Sequence, residues 1–451
     1  MNQDTKKQEK RVAVIGAGIT GLSNAVHLLK SGYAVKVYEK QSAPGGVWNN
    51  LSNSGSYLQT NSLHYHFASG VRWKSKHPDR AEIRQQIAKV CASLPAGVVE
   101  FDTPVERVRF DADQVQVTVQ GREETFDGII VATGLHQAPF TPPEYRSFGG
   151  EVKHFVELDT IQDLDQKKVV VVGCGPSAME ALRSLSSSAK QIHLVCDKPR
   201  WIYPSIFLYN LLIFMPWSRP NQWLDRRIHK VLSKHYHKFG LQHMMPATSP
   251  VRTNPGSIWK EFFPNSKQSH VHLHSHAKIS GFDGRRIMFA DGRSISDVDV
   301  LVACTGWQPL EFPFFDPGLA EVVQFHVTKV GYLYLHEVVP GYPRMVLANY
   351  KSGIGSTGLA PFISSILLQN ALEQASIYPS KIQQESWIAQ EKLRWASAPL
   401  VFQTINVFES FVQTFLFFSH PRRIFWFLRK MSLRYIGKLP SRFNYRPETS
   451  V

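Results

Sequence analysis

Two glycine runs mark where a phosphate-bearing ligand can approach this backbone. The first is Gly16-Ala-Gly18-Ile-Thr-Gly21. Gly16 permits a tight turn, Gly18 lets the main chain approach a pyrophosphate, and Gly21 lets the following helix lie close to the preceding strand. The second run is Gly173-Cys-Gly175-Pro-Ser177-Ala178, with alanine at the third glycine position, a replacement the pattern allows. Glu39 stands about 20 residues beyond the first run, where a carboxylate meets ribose hydroxyls. After the second run come Asp197, Lys198 and Arg200. The two cations suit the 2′-phosphate of NADPH, Asp197 suits the free 2′-hydroxyl of NADH, and the cations also read as a solvated loop. NADPH is the reading taken, with NADH as its alternative.

The elements needed to position these turns are present. Arg11-Val-Ala-Val-Ile15 reads as a buried strand, Leu22 to Ser31 as a helix, and Val35 to Glu39 as a second strand. Lys168 to Val172, a helix through Arg183, and the strand Gln191 to Val195 repeat the order. Strand, glycine turn, helix and strand together are the context a dinucleotide site requires, with phosphate at the helix N-terminus. Two complete fingerprints imply two dinucleotides, one stored and one consumed: a bound flavin and the nicotinamide that reduces it.

A length of 451 residues predicts two domains. An apolar fraction of 43% with 19% charged residues excludes a disordered chain. The polar start, Met1 to Lys10, has no apolar run of signal-peptide length, so a cytoplasmic location is expected. Cys91, Cys174, Cys196 and Cys304 are far apart and form no C-x-x-C pair, which argues for reduced thiols rather than a zinc or dithiol site. The net charge of +15 favours acidic partners. Nucleic acid ranks low among these, because the basic residues are scattered and no reading module is recognised.

Further motifs, in order along the chain, resemble those of the flavin-containing monooxygenases from Val12 to about Gln369. Pro44-Gly45-Gly46-Val47-Trp48 is similar to the family's loop beside the flavin, and Tyr57-Leu-Gln-Thr60-Asn61-Ser62 to its Thr-Asn segment. Val131-Ala-Thr133-Gly134 resembles the first Ala-Thr-Gly segment. Phe148 to His154 matches the start of the F-x-G-x-x-x-H signature, but Leu158 stands where an aromatic residue is usual. Asp297 to Trp307, with Thr305 and Gly306, resembles the second such segment, with Trp307 in place of tyrosine. Leu333 to His336 and Leu347 to Tyr350 fit two last strands, and Gly355 to Gln369 a turn into a helix.

The resemblance implies FAD and NADPH as cofactors, with molecular oxygen and a small molecule as substrates. Hydride reduces FAD, oxygen then gives a C(4a)-hydroperoxide, and a nucleophilic nitrogen or sulfur of a lipophilic substrate takes the distal oxygen. Asn61 is the implied catalytic residue. Its amide would hydrogen-bond at flavin and nicotinamide without adding charge. A Baeyer–Villiger ketone oxygenase and a non-oxygenating redox sensor are the alternatives. A disulfide reductase lacks its cysteine pair here, and a flavin amine oxidase has no use for the second fingerprint.

The expected fold is α/β, with two Rossmann-like dinucleotide-binding domains, the NAD(P)H domain inserted into the FAD domain. The limits are 1–145 and 296–400 for FAD and 146–295 for NAD(P)H, with a hydrophobic and basic insertion near 201–240 and an amphipathic basic segment at 401–451. Ile206 to Trp217 and Phe411 to Phe418 are apolar and lie beside cations. Each reads equally as an interfacial helix on an anionic membrane, or as a hydrophobic substrate channel or packing helix with a solvated basic rim. Each run is too short to span a bilayer. The oligomeric state is left open.

Overall fold

The computed structural model describes residues 10–395, except 60, 61, 63, 64, 66, 69, 112, 203–221, 249–261, 351–359, 374, 376 and 377. Thr60, Asn61, the apolar run at 206–217, the turn at 355 and the segment 401–451 lie outside the described residues.

Two parallel five-stranded sheets organise the chain. In the first, the spatial order is Met345–Leu347, Gly128–Val131, Arg11–Ile15, Ala34–Tyr38 and Val99–Glu100. In the second it is Val271–Ser275, Gln191–Cys196, Lys168–Val172, Val300–Ala303 and Glu151–His154. Strands in such sheets are covered on both faces and therefore read as unbroken aliphatic runs. Val12, Ala13, Val14 and Val169 to Val171 have no solvent exposure.

On one face of the first sheet, Leu22 and Leu28 of the helix Ile19–Lys30 share a core with Leu367 and Leu372 of the helix Ala360–Glu373. The other face packs against an antiparallel three-stranded sheet, Val105 to Phe126, and the helix Pro317–Gln324. The second sheet carries an antiparallel meander, Ile279 to Ile295, on one face and the helices Pro176–Leu185 and Gln222–Phe239 on the other. This is the expected α/β fold, with the second Rossmann-like unit inserted into the first.

Two expectations need correction. Val300–Ala303 hydrogen-bonds between Lys168–Val172 and Glu151–His154. The return to the first half therefore follows Ala303 rather than falling at 296; an aliphatic strand next to a domain boundary has no sequence mark saying which sheet it joins. Leu333 to His336 is a turn rather than a strand, closed by an isolated bridge between Tyr334 and Val338, with Leu335 and His336 at positive φ. The last strand of the first sheet is Met345–Leu347, which ends before Ala348-Asn-Tyr350.

In the helix Gln222–Phe239, Ile228, Leu232 and Tyr236 are buried at four-residue spacing against Phe262 and Phe263, while Arg226, Arg227, Lys230, Lys234 and Lys238 face solvent. The basic residues of this helix form a solvated rim on an internally packed stripe. No helix among the described residues is long and apolar enough to cross a membrane.

Among the described residues, a loop makes most of the polar contacts between the halves. Asn53 Nδ2 donates to the Phe155 carbonyl at 3.0 Å, and the Ser54 hydroxyl donates to Asp159 at 2.6 Å. The Arg183 guanidinium lies 4.1 Å over the Tyr57 ring. A Cβ on Gly55 would stand 2.0 Å from the Ser184 hydroxyl, so loop and helix meet backbone to side chain.

The buried Glu337 carboxylate accepts from the Asn349 N–H at 2.9 Å and the Ser364 hydroxyl at 2.6 Å, yet burial pushes its pKa up to about 7. The native state therefore keeps a proton that the unfolded chain releases near pH 4.3. Its stabilising contribution is full below that pH and is lost as pH rises toward 7. Glu337→Gln is expected to shrink the drop in thermal midpoint between pH 5 and pH 8 by a few degrees, an effect of about 2 kcal/mol. Equal drops in both proteins, followed by circular dichroism, would rule this out.

Candidate functional site

Both glycine turns have the geometry a phosphate cradle needs. Gly16 has φ of 103°, and a Cβ there would lie 2.7 Å from the Ala132 carbonyl oxygen. A Cβ on Gly21 would lie 1.8 Å from the Gly16 oxygen, so the helix can meet the strand only without a side chain. Gly173 has φ of 135°, and a Cβ there would lie 2.6 Å from the Cys304 carbonyl oxygen. Gly175 begins the helix Pro176–Leu185 with open space where a side chain would stand. Ala178 is fully buried at the third position, where its methyl group fits between helix and sheet.

Neither helix has a side-chain cap: Gly18 and Gly175 are the N-cap residues, and among the described residues no side chain bonds to the first N–H groups. Those donors have no partner within a helix and carry partial positive charge. Gly46, at φ of 54°, would place a Cβ 3.2 Å from the Gly18 Cα, and the Gly45 N–H donates to the Ala17 carbonyl at 3.1 Å. The second loop thus closes over the first turn. Glu39, 7% exposed, accepts from the Ala17 N–H at 2.6 Å and the Gln41 N–H at 3.0 Å. Its carboxylate is therefore held at the turn. Thr133 accepts from Gln137 at 3.4 Å, beside Gly134 at positive φ.

A cavity of about 1060 Å³ opens between the halves. Val47 and Trp48 line it from the first half, and Gly173, Gly175, Ser177, Lys198 and Arg200 from the second. Thr305, Gly306 and Trp307 complete the wall. The Trp48 indole donates to the Tyr65 hydroxyl at 2.6 Å, which fixes its ring edge-on. The fold therefore brings most of the expected residues to one cavity. Gly16, Gly18, Gly21, Glu39 and Thr133 stand apart at the first turn, connected to it through Gly46.

His154 is 4% exposed and keeps below its ordinary pKa through burial, so it is neutral. Its Nδ1 accepts from the Val156 N–H, and its Nε2 then donates to the Gly306 carbonyl at 3.2 Å. It thus orders the wall of the cavity. Trp307, where tyrosine is usual, stacks on His136 at 4.9 Å.

Asp197 shares the cavity wall with Lys198 and Arg200. Three of the four cysteines, distant in sequence, meet at the second turn. Cys174 hydrogen-bonds Cys196, whose Sγ lies 3.3 Å from the Gly173 carbonyl, and Cys304 abuts Gly173. The Cys196 interaction, chiefly, holds the Cys174 thiol below its usual range, while burial pushes Cys304 up.

Sequence reasoning passed over Glu180, a buried acid on the second-turn helix that lines the same cavity. The Gln59 amide donates to it at 2.7 Å. The available signal was a lone acid in an apolar helical run, Ala178-Met-Glu-Ala-Leu182.

A family profile described as pyridine nucleotide-disulphide oxidoreductase matches residues 10–319. The chain belongs to that family. A Baeyer-Villiger monooxygenase of Streptomyces coelicolor is 30% identical over 258 residues, 55% of this chain and 44% of that protein. Flavin-containing monooxygenase 5 of Homo sapiens is 25% identical over 353 residues, 70% of this chain and 64% of that protein. The chain thus spans less than two thirds of the length of these relatives. Among solved structures, cyclohexanone monooxygenase bound to ε-caprolactone superposes with a TM-score of 0.73 at 15% identity, over 90% of this chain and 98% of that one. OTEMO in complex with FAD and NADP gives 0.70 at 16% identity, over 87% and 92%. At these identities the two structures establish the shared fold.

Gly21→Ala is expected to abolish retention of a dinucleotide at the first turn, because the methyl group collides with backbone that cannot move without breaking the strand. Absorbance of the purified variant tests this, and full retention with an unchanged thermal midpoint would contradict the cradle geometry.

Proposed function

We propose that the chain is an FAD-dependent, NADPH-consuming monooxygenase acting on a small molecule with molecular oxygen. The observation that carries this reading is the pair of uncapped, glycine-lined helix N-termini, the second lining the interdomain cavity and the first joined to its wall through the Gly46–Val47 loop. Such a pair suits a resident flavin nucleotide at Gly16, Gly18, Gly21 and Glu39 and a nicotinamide nucleotide at Gly173, Gly175 and Ser177. FAD, when bound, supplies hydride acceptance and oxygen activation.

The chain's own residues have narrower tasks. Val47 and Trp48 provide an apolar wall for a ring system, with Gly46 packed on the first turn behind them. Thr133, Thr305 and Gly306 line the exits of two strands, and Lys198 and Arg200 supply positive charge for a 2′-phosphate. Asn61, with Thr60, is assigned the role of orienting flavin and nicotinamide through its amide. Closure between the halves excludes water from the reacting atoms.

The nucleophilic nitrogen or sulfur of a lipophilic substrate is the preferred oxygen acceptor, on the Thr60-Asn61 pair. Ketone oxygenation is the second reading, favoured by the Baeyer-Villiger monooxygenase relative. Peripheral contact with an anionic membrane through 206–217 and 411–430 is a further part of this reading, within an otherwise cytoplasmic location.

Rapid mixing discriminates among these. The NADPH-reduced protein, exposed to oxygen, is expected to give a persistent spectrum distinct from oxidised and reduced flavin. Amines or sulfides should discharge it faster than ketones, and Asn61→Ala should shorten its life. Faster discharge by ketones selects the second reading, and direct return to oxidised flavin with peroxide release defeats the oxygenase reading. Separately, the double variant Lys198→Ala, Arg200→Ala is expected to lose at least about tenfold of its preference for NADPH over NADH. An unchanged ratio of kcat/KM values would remove the phosphate clamp and leave Asp197 as the recognising residue.

A further inference from the structure

Glu180 is the one acid among the cavity-lining residues that is both nine-tenths buried and held across the domain boundary. It sits one turn into the helix Pro176–Leu185, whose first residues line the same cavity. Its partners come from the other half: Gln59 Nε2 donates at 2.7 Å, and Ser56 also hydrogen-bonds to it. Around it stand Arg183 on its own helix, Tyr57 on the docked loop, Cys304 after the strand Val300–Ala303 and Cys174 on the turn. Lys198 and Arg200 lie elsewhere on the cavity wall.

The forces on this carboxyl oppose one another. Gln59, Ser56 and Arg183 favour the charged form, as does the positive end of the helix. Desolvation opposes them and wins, pushing the pKa up to about 7. The group is therefore divided between its two forms at neutral pH, before any ligand enters. A dinucleotide in the cavity adds negative charge and removes water, and both changes favour the protonated acid.

We propose that Glu180 takes up a proton from solvent when a nicotinamide dinucleotide enters this cavity, and returns it when the nucleotide leaves. The proposal rests on the reading of the cavity as the nicotinamide site. It makes Glu180 a positioning residue whose charge state sets nucleotide affinity. As the acceptor for Gln59 and Ser56, it also couples that charge state to the loop leading into residues 60 and 61. Below pH 7 the acid is already neutral and binding costs nothing extra; above pH 7 each binding event must draw one proton, and affinity falls with pH.

The test is calorimetric titration of the FAD-loaded protein with NADP+ from pH 6 to pH 8.5, in two buffers of different ionisation heat. The wild type is expected to take up close to one proton per nucleotide at pH 8. Its Kd should weaken by about twentyfold more across the range than that of Glu180→Gln. The comparison is between proteins, because the nucleotide's own 2′-phosphate titrates near pH 6 and contributes equally to both. Equal proton uptake in the two proteins overturns the proposal and leaves the site reading intact. No NADP+ binding by the wild type at any pH overturns the site reading itself. Should Glu180→Gln fail to fold, infrared difference spectra of the wild type decide: a protonated-carboxyl band that grows on NADP+ binding at pH 8 is expected, and its absence refutes the proposal.

Discussion

Backbone N–H groups at the head of a helix have no partner inside it, and a folded chain must satisfy them with a side chain, with water or with a ligand. Here both helices that follow glycine turns, Ile19–Lys30 and Pro176–Leu185, begin on glycine and carry no side-chain cap. The rest of the architecture serves that unmet demand. Fully buried parallel strands fix the direction of each turn, and the missing Cβ atoms at Gly16, Gly21 and Gly173 let strand, turn and helix close to contact. Replacing any of these glycines disturbs main chain rather than a side chain, so nothing flexible can yield.

Holding the two halves against each other is a separate problem, in which a loop does more than either sheet. Residues 53–59 leave the first half and dock on the inserted unit through Asn53, Ser54, Tyr57 and Gln59. These contacts are polar and small, the kind that hold a domain arrangement without locking it.

Much of this was readable in the sequence. The fingerprints were legible because each requires particular residues at fixed spacing, and strands buried on both faces announce themselves as aliphatic runs. What could not be read depended on pairings distant in sequence. Val300–Ala303 looks identical whichever sheet it joins. Leu333 to His336 alternates like a strand, yet two positive-φ residues fold it into a turn. The meeting of Cys174, Cys196 and Cys304, and the burial of Glu180 against Gln59, arise only once the two halves are assembled. A single acid in an apolar helix face is a signal, but its partner lies on another domain.

The central position of Val300–Ala303 bears on how the polypeptide is made. Emerging from the ribosome, Lys168–Val172 and Glu151–His154 are present early, but they are not neighbours; the strand that separates them is synthesised only after the meander and the helix Gln222–Phe239. Until then the nascent inserted unit has two unsatisfied strand edges flanking an empty slot, and such edges invite pairing with other chains. The first sheet waits longer still, because its Met345–Leu347 edge comes later. Neither nucleotide turn is thus fully backed by its sheet before most of the chain exists, and the nascent polypeptide needs protection during that interval.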